Sequence, residues 1–144
     1  MFVRKATRED ASMIAGLMTQ LGYDASPQLI EQKLAVLAGS ANDAVFVATH
    51  SQDSKHIAGC LSAHMLELFH VPGKLGRITS LVVDANMRRA GVGKALIEYS
   101  TKYFRNGGCI RIEVNSGDHR PAAHAFYQSV GFIQDERRFI MRIG

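Results

Sequence analysis

Residues 88–96 set two arginines ahead of Gly91 and Gly93 and place a lysine behind them. An apolar run, 77–83, precedes this stretch, and a helical repeat of apolar residues follows it. A strand that passes through glycines into a helix leaves backbone N–H groups free at the helix start. Those groups and the helix dipole bind anions, phosphates above all. Two phosphate loops fail on spacing. GxxxxGK[ST] finds Arg88 at its first glycine and Ala95 at its Ser/Thr, and GxGxxG finds Leu96 at its third glycine. Arg88-x-x-Gly91-x-Gly93 remains, a turn that offers bare backbone to a polyanion.

Other groups able to move protons are scattered. Glu113 and Asn115 share one face of a strand expected at 109–115. Glu67 and His64, His70, His119 and His124 are further titratable groups. Within 64–70 the alternation puts His64 and His70 on one strand face and Glu67 on the other, which argues against a compact metal site, and no metal is expected.

The elements that must position these groups follow from periodicity and punctuation. A strand at 2–6 leads to Thr7, a cap with Asp10 three residues on. Met13, Ile14, Leu17, Met18 and Leu21 form a helical stripe that Gly22 stops, and Ser26-Pro27 opens a second helix. Strands are expected at 44–49, 57–69, 77–83 and 109–115, with a break at 71–76. A helix runs from the glycine stretch to about Arg105, and another spans 120–130. Two closing strands are expected at 132–134 and 138–143. The order β-α-α-β-β-β-α-β-α-β-β implies an α/β (mixed α+β) domain over 1–144, with a mixed sheet of about six to seven strands, antiparallel first and parallel at the centre, and helices on both faces.

A chain of 144 residues suits one core. No run approaches the roughly 20 apolar residues of a membrane span, and the charged start 4–10 has no signal core behind it, so a cytoplasmic protein without a membrane partner is expected. The net charge of +4 is spread without a long basic run, which disfavours nucleic acid. Cys60 and Cys109 sit in apolar strands and read as free thiols.

The spacing Arg88-x-x-Gly91-x-Gly93, after a strand ending in Leu81-Val82-Val83, resembles the acyl-CoA signature [Q/R]-x-x-G-x-[G/A] of the GNAT family of N-acetyltransferases. Ala123, Phe126, Tyr127, Gly131 and Phe132 resemble its second block, A-x-x-F-Y-x-x-x-G-F. The element order resembles the family's over nearly the full length. Arg120, Ala123, His124, Phe126 and Tyr127 look similar to the R-x-x-A-H-x-F-Y block of small-molecule acetyltransferases such as those acting on aminoalkylphosphonates.

The resemblance implies acetyl-CoA as co-substrate. It implies that backbone N–H groups of Arg89, Ala90, Gly91, Val92, Gly93 and Lys94 cradle the pyrophosphate, with Arg88 fixing the loop. Leu81, Val82 and Val83 would meet the pantetheine arm through the main chain, with a backbone N–H of Val83 or Val82 for the carbonyl oxygen. Asn115, Ala123, Phe126 and Tyr127 would complete the cofactor site, and His124 would face the substrate. Tyr127 would protonate the leaving thiolate, because a phenol with a pKa near 10 stays protonated at neutral pH. The central strand, Ile78 to Val82, carries no carboxylate for the family's usual base, which leaves Glu113 first and Glu67 second. The implied reaction is acetyl transfer to the primary amine of a small molecule. The alternatives are a protein N-terminal or lysine acetyltransferase and a non-catalytic acyl-CoA sensor. The terminal segment 137–144 is expected to pair with a second chain in a homodimer.

Overall fold

The computed structural model of the chain describes residues 1–115, 121–135 and 137–144. Five strands, β1 (Phe2–Lys5), β2 (Asp43–Thr49), β3 (Gly59–Glu67), β4 (Lys74–Val83) and β5 (Cys109–Val114), lie in sequence order in one sheet. Neighbours pair antiparallel up to β4, and β4 pairs parallel with β5. The helices are α1 (Ala11–Leu21), α2 (Pro27–Ala38), α3 (Val92–Asn106) and α4 (Pro121–Ser129).

Local chemistry sets most boundaries. The Ser26 hydroxyl accepts from the Leu29 N–H at 3.1 Å, and Pro27 follows at the first helical position, where no N–H is needed. Gly22 closes α1 in the left-handed conformation at φ 102°. The expected break at 71–76 is shorter than its composition suggests, because β4 already starts at Lys74. Gly76 is a strand residue there. A Cβ on it would lie 2.6 Å from Phe104 Cδ1, so this glycine admits the α3 ring rather than turning the chain.

Two apolar layers cover the sheet. On one face Val92, Leu96, Ile97 and Phe104 of α3 pack on Phe46, Leu61, Ala63 and Ile78. On the other, Ile14, Leu17, Met18 and Leu34 of α1 and α2 pack on Val47, Cys60 and Val82. Both cysteines are free. Burial pushes the Cys60 thiol up to about 12, while Cys109 is half-buried. No helix among the described residues is long and apolar enough to cross a membrane.

Three expectations need correction. Among the described residues the sheet has five strands against the six to seven expected, and its parallel pair lies at an edge of the described sheet rather than at its centre. Segments 132–134 and 138–143 are outside any strand, and Phe139, Met141 and Ile143 are exposed. Alternating side chains suit a strand, but a strand also needs a neighbouring backbone to receive its N–H and C=O groups. The strand expected at 57–69 stops at Glu67, leaving Phe69 and His70 in a turn, so His64 and His70 do not share a strand face.

The first turn of the chain is tied down by a buried carboxylate. Asp10 accepts two bonds from the Arg4 guanidinium, at 2.8 and 2.9 Å, and one from the Thr7 N–H at 2.7 Å. Burial alone would raise the Asp10 pKa, but the bonds from Arg4 and Thr7 outweigh it and hold it below the ordinary carboxylate value. A depressed folded-state pKa stabilises the fold above the unfolded value near 3.9 and loses that contribution as pH falls through the lower folded value. Asp10→Ala should therefore cost about 1–3 kcal/mol at pH 7. In urea titrations the gap to wild type should shrink below about pH 4.

Candidate active site

The parallel ladder between β4 and β5 runs from Lys74 opposite Cys109 to Ile78 opposite Val114, and there it stops. β4 continues to Val83, so the main chain of 79–83 has no strand beside it on the β5 side among the described residues. On the β3 side, Ser62 faces Ser80 while Ala63 faces Ile78, which makes Thr79 the extra residue of a β-bulge. A bulge bends and twists its strand, and it comes here where the two parallel strands part. Leu81 and Val83 lean on the α3 layer, and Val82 is buried in the α1–α2 layer. A slot of unpaired backbone results, with its side chains fixed on both faces.

β4 passes through a 3-10 turn, Ala85–Met87, which Asp84 caps by accepting from the Asn86 N–H at 3.1 Å. Arg89 (φ 67°) and Gly91 (φ 80°) then both take the left-handed conformation. The Ala95 N–H donates to Gly91 O at 3.0 Å, the first bond of α3. The N–H groups of Val92, Gly93 and Lys94 therefore lack helical acceptors, and no side chain of Gly91 caps them. Left-handed residues ahead of a helix start gather N–H groups into a concave anion seat. The side chains of Arg88, Arg89, Ala90 and Lys94 are exposed around it.

α4 meets α3 at this turn. A Cβ on Gly93 would lie 2.9 Å from Phe126 Cζ, so this glycine is required first by packing. Tyr127 stands edge-on between Phe126 and Phe132, at ring distances of 5.4 and 5.6 Å. The Phe132 N–H donates to the Tyr127 carbonyl at 3.0 Å and folds the chain back after Gly131. Ala123, one turn before Tyr127, and His124 are half-buried, and Asn115 is exposed just beyond the end of β5. His119 and Arg120 lie outside the described residues.

The two carboxylates ranked as bases are poorly suited to that role. Glu113 lies 2.8 Å from Arg111 Nε and 3.3 Å from Arg77 Nη2. The Arg111 bond, aided by Arg77, holds its pKa below the ordinary value, which leaves it a weak proton acceptor. Glu67 sits at the hairpin end of β3 opposite Lys74, about 13 Å of strand from Ala63, where the sheet begins to open.

A hydroxyl and imidazole chain at the bulge was not legible as a unit in the sequence. Ser62 Oγ lies 2.6 Å from Ser80 Oγ and 2.7 Å from Thr79 Oγ1. Thr79 Oγ1 lies 2.8 Å from His64 Nε2, and His64 Nδ1 lies 2.7 Å from Asp43 Oδ1. Ser62 and Ser80 also line a cavity of about 130 Å³ beneath α1 and α2, with Ile14, Met18, Leu34 and Lys33. Hydroxyls inside otherwise apolar strands were the one visible signal, and the bulge that joins them has no sequence signature.

The model of the acetyltransferase (GNAT) family matches residues 14–132. The aminoalkylphosphonate N-acetyltransferase of Salmonella typhimurium is 31% identical over 83 residues, 58% of this chain and 54% of that protein. The chain thus spans about half the length of this relative. The aminoglycoside N(6')-acetyltransferase type 1 of Stenotrophomonas maltophilia is 27% identical over 98% of this chain and 92% of its own. An aminoglycoside N-acetyltransferase solved in complex with CoA superposes with a TM-score of 0.84 at 19% identity, covering 99% of this chain and 93% of that one, a likeness of fold.

The two glycines of the turn should respond to different forces. Gly91→Ala should cost about 1–2 kcal/mol through left-handed backbone strain alone, since nothing lies within 4 Å of its Cβ position. Gly93→Ala should cost about 1–3 kcal/mol by displacing Phe126. In a double-mutant cycle by urea unfolding, Phe126→Leu should recover about 1 kcal/mol of the Gly93 penalty and none of the Gly91 penalty. Additive effects at Gly93 would contradict this packing.

Proposed function

Because the chain belongs to the GNAT acetyltransferase family, we propose that it transfers the acetyl group of acetyl-CoA directly to the primary amine of a small molecule. The observation that carries this reading is the slot of unpaired β4 backbone at 79–83, which leads into the N–H groups at the start of α3. The spacing suits a long ligand with an anionic middle and a thin arm. The pyrophosphate takes the N–H groups of residues 89–94. The arm lies along Leu81, Val82 and Val83 as an added strand, and the thioester lies in the slot that opens beyond the point where β4 and β5 part. There a main-chain N–H of Val83 or Val82 serves the carbonyl oxygen.

Tyr127 is the proton donor to the departing thiolate in this reading. Its ring is fixed by Phe126 and Phe132, and Phe126 in turn rests on the turn glycine Gly93, so the same contacts that seat the phosphate loop seat the phenol. The cavity under α1 and α2 favours a small acceptor over a protein surface. At about 130 Å³ it falls well below the ~300–1,000 Å³ of drug-sized pockets and has room for the amine end of a compact molecule. Lys33 on its wall suits an amine that also carries a negative group, in keeping with the phosphonate substrate in the name of one relative. Retention of Tyr127 disfavours a non-catalytic sensor. The free thiols fit a reducing compartment, the cytoplasm.

A homodimer fits the same structure. The outer edge of β5 has no strand partner among the described residues, and Ile110 on it is 58% exposed. Phe139, Met141 and Ile143, on alternate positions of the terminal segment, are 85–100% exposed. Residues 137–144 of a second copy supply the N–H and C=O groups that this edge lacks.

Thiol release from acetyl-CoA should appear with at least one member of a panel of aminoalkylphosphonates, amino acids, amino sugars and aminoglycosides. Binding of CoA without turnover on any of them would favour the sensor. Tyr127→Phe should lower kcat by about 10²-fold and leave the KM for acetyl-CoA within about twofold. An unchanged kcat would remove Tyr127 from the chemistry. Sedimentation should give a dimer for the full chain and a monomer after deletion of residues 137–144.

A further inference from the structure

From the chain of contacts that runs from the cavity wall to Asp43, we infer that His64 is the proton acceptor for the amine, reached through the hydroxyls of Ser80, Ser62 and Thr79. This rests on the acetyl-transfer reading above and supplies the base that β4 lacks. The three hydroxyls sit on the α1–α2 side of the sheet, beside the split where the thioester is placed.

The direction of the chain is set at its carboxylate end. The Ser40 hydroxyl, and after it His64, holds the Asp43 carboxyl below the ordinary range, so it is ionised and only accepts. Nδ1 of His64 must then carry the hydrogen and donate to Asp43 at 2.7 Å. In the neutral ring Nε2 is left as an acceptor, and it takes the Thr79 hydroxyl hydrogen at 2.8 Å. Thr79 accepts from Ser62, and Ser62 accepts from Ser80. Ser80 and Ser62 line the cavity, so the chain begins where an amine would lie and ends at a base that is 23% exposed to water.

The protons balance. The acceptor enters as an ammonium ion and must lose a proton before its lone pair can attack. That proton passes to Ser80, each hydroxyl hands its own to the next, and His64 Nε2 ends as imidazolium against Asp43. His64 then releases it to solvent. The nitrogen attacks the thioester carbonyl, the C–N bond forms and the C–S bond breaks. Tyr127 protonates the thiolate and regains a proton from the nitrogen. Asp43 touches neither substrate nor thioester and is a positioning residue.

Other charges face this site. Arg77 stands opposite His64 on β4 and is paired with Glu113 of β5, and Lys33 of α2 lines the cavity.

The test compares wild type with His64→Asn, Thr79→Val and Thr79→Ser in steady-state kinetics from pH 5.5 to 9, with an amine from the panel that wild type acetylates. His64→Asn and Thr79→Val should each lower kcat by about 10²-fold, flatten the acidic limb of the kcat profile and leave the KM for acetyl-CoA within about twofold. Thr79→Ser, which restores the hydroxyl, should recover most of the rate. Nitrogen-15 NMR of the free protein should show the Nδ1–H tautomer of His64 at neutral pH. A structural role at the bulge would lower stability with an unchanged pH profile, and that result overturns the relay. An Nε2–H tautomer overturns it as well, whatever the activity. Lack of turnover by wild type across the whole panel overturns the acetyl-transfer reading itself, and the relay with it.

Discussion

One extra residue in β4 governs the geometry of the site. Thr79 has no opposite number on β3, so the strand bends there, and just before it the ladder to β5 ends at Ile78 and Val114. A parallel pair that continued would have filled its own hydrogen bonds and left nothing for a ligand. The parting leaves main-chain groups of 79–83 without a strand partner along one edge among the described residues, while Val82 and Leu81 remain anchored in the two apolar layers. The open slot is held by the core on both sides, which keeps its backbone fixed and its edge free. The same extra residue brings Thr79 and Ser80 both within reach of Ser62, which regular alternation would forbid.

Packing between α3 and α4 is the second constraint. Gly93 looks in the sequence like a residue chosen for a phosphate. In the fold its missing Cβ is replaced by the Phe126 ring. Phe126 and Tyr127 are adjacent, so seating the first on α3 sets the second, and Phe132 closes the other side of the phenol. Gly91 acts through its backbone instead. Its left-handed φ, with that of Arg89, sets the path of the backbone into α3. The glycine turn and the proposed acid are therefore one packed unit.

Charge sorts the titratable groups. Glu113 is held as a carboxylate by Arg111 and Arg77, and it balances the arginine that β4 carries beside the split. His64 has the opposite setting, with one carboxylate and one hydroxyl as its partners. A group clamped by two cations gives up its basicity. Sequence spacing ranked Glu113 ahead of His64 because it shows strand faces and cannot show which arginines a carboxylate will meet.

The sequence by itself determined the helices, the antiparallel meander and the glycine turn ahead of α3, because caps, periodicity and glycine conformations are properties of neighbouring residues. Ser26-Pro27, Gly22 and Gly91 each act within a few positions of themselves. It misjudged Gly76 as a break and 132–134 and 138–143 as strands, because a glycine's meaning depends on what approaches it and a strand depends on the backbone beside it. Only the tertiary structure decided where β4 leaves β5, that Thr79 is a bulge, and that Asp43, His64, Thr79, Ser62 and Ser80 form one hydrogen-bonded line across three strands. Those are facts of register between segments up to 37 positions apart along the chain, from Asp43 to Ser80, and register is settled by the packing of both faces of a sheet at once.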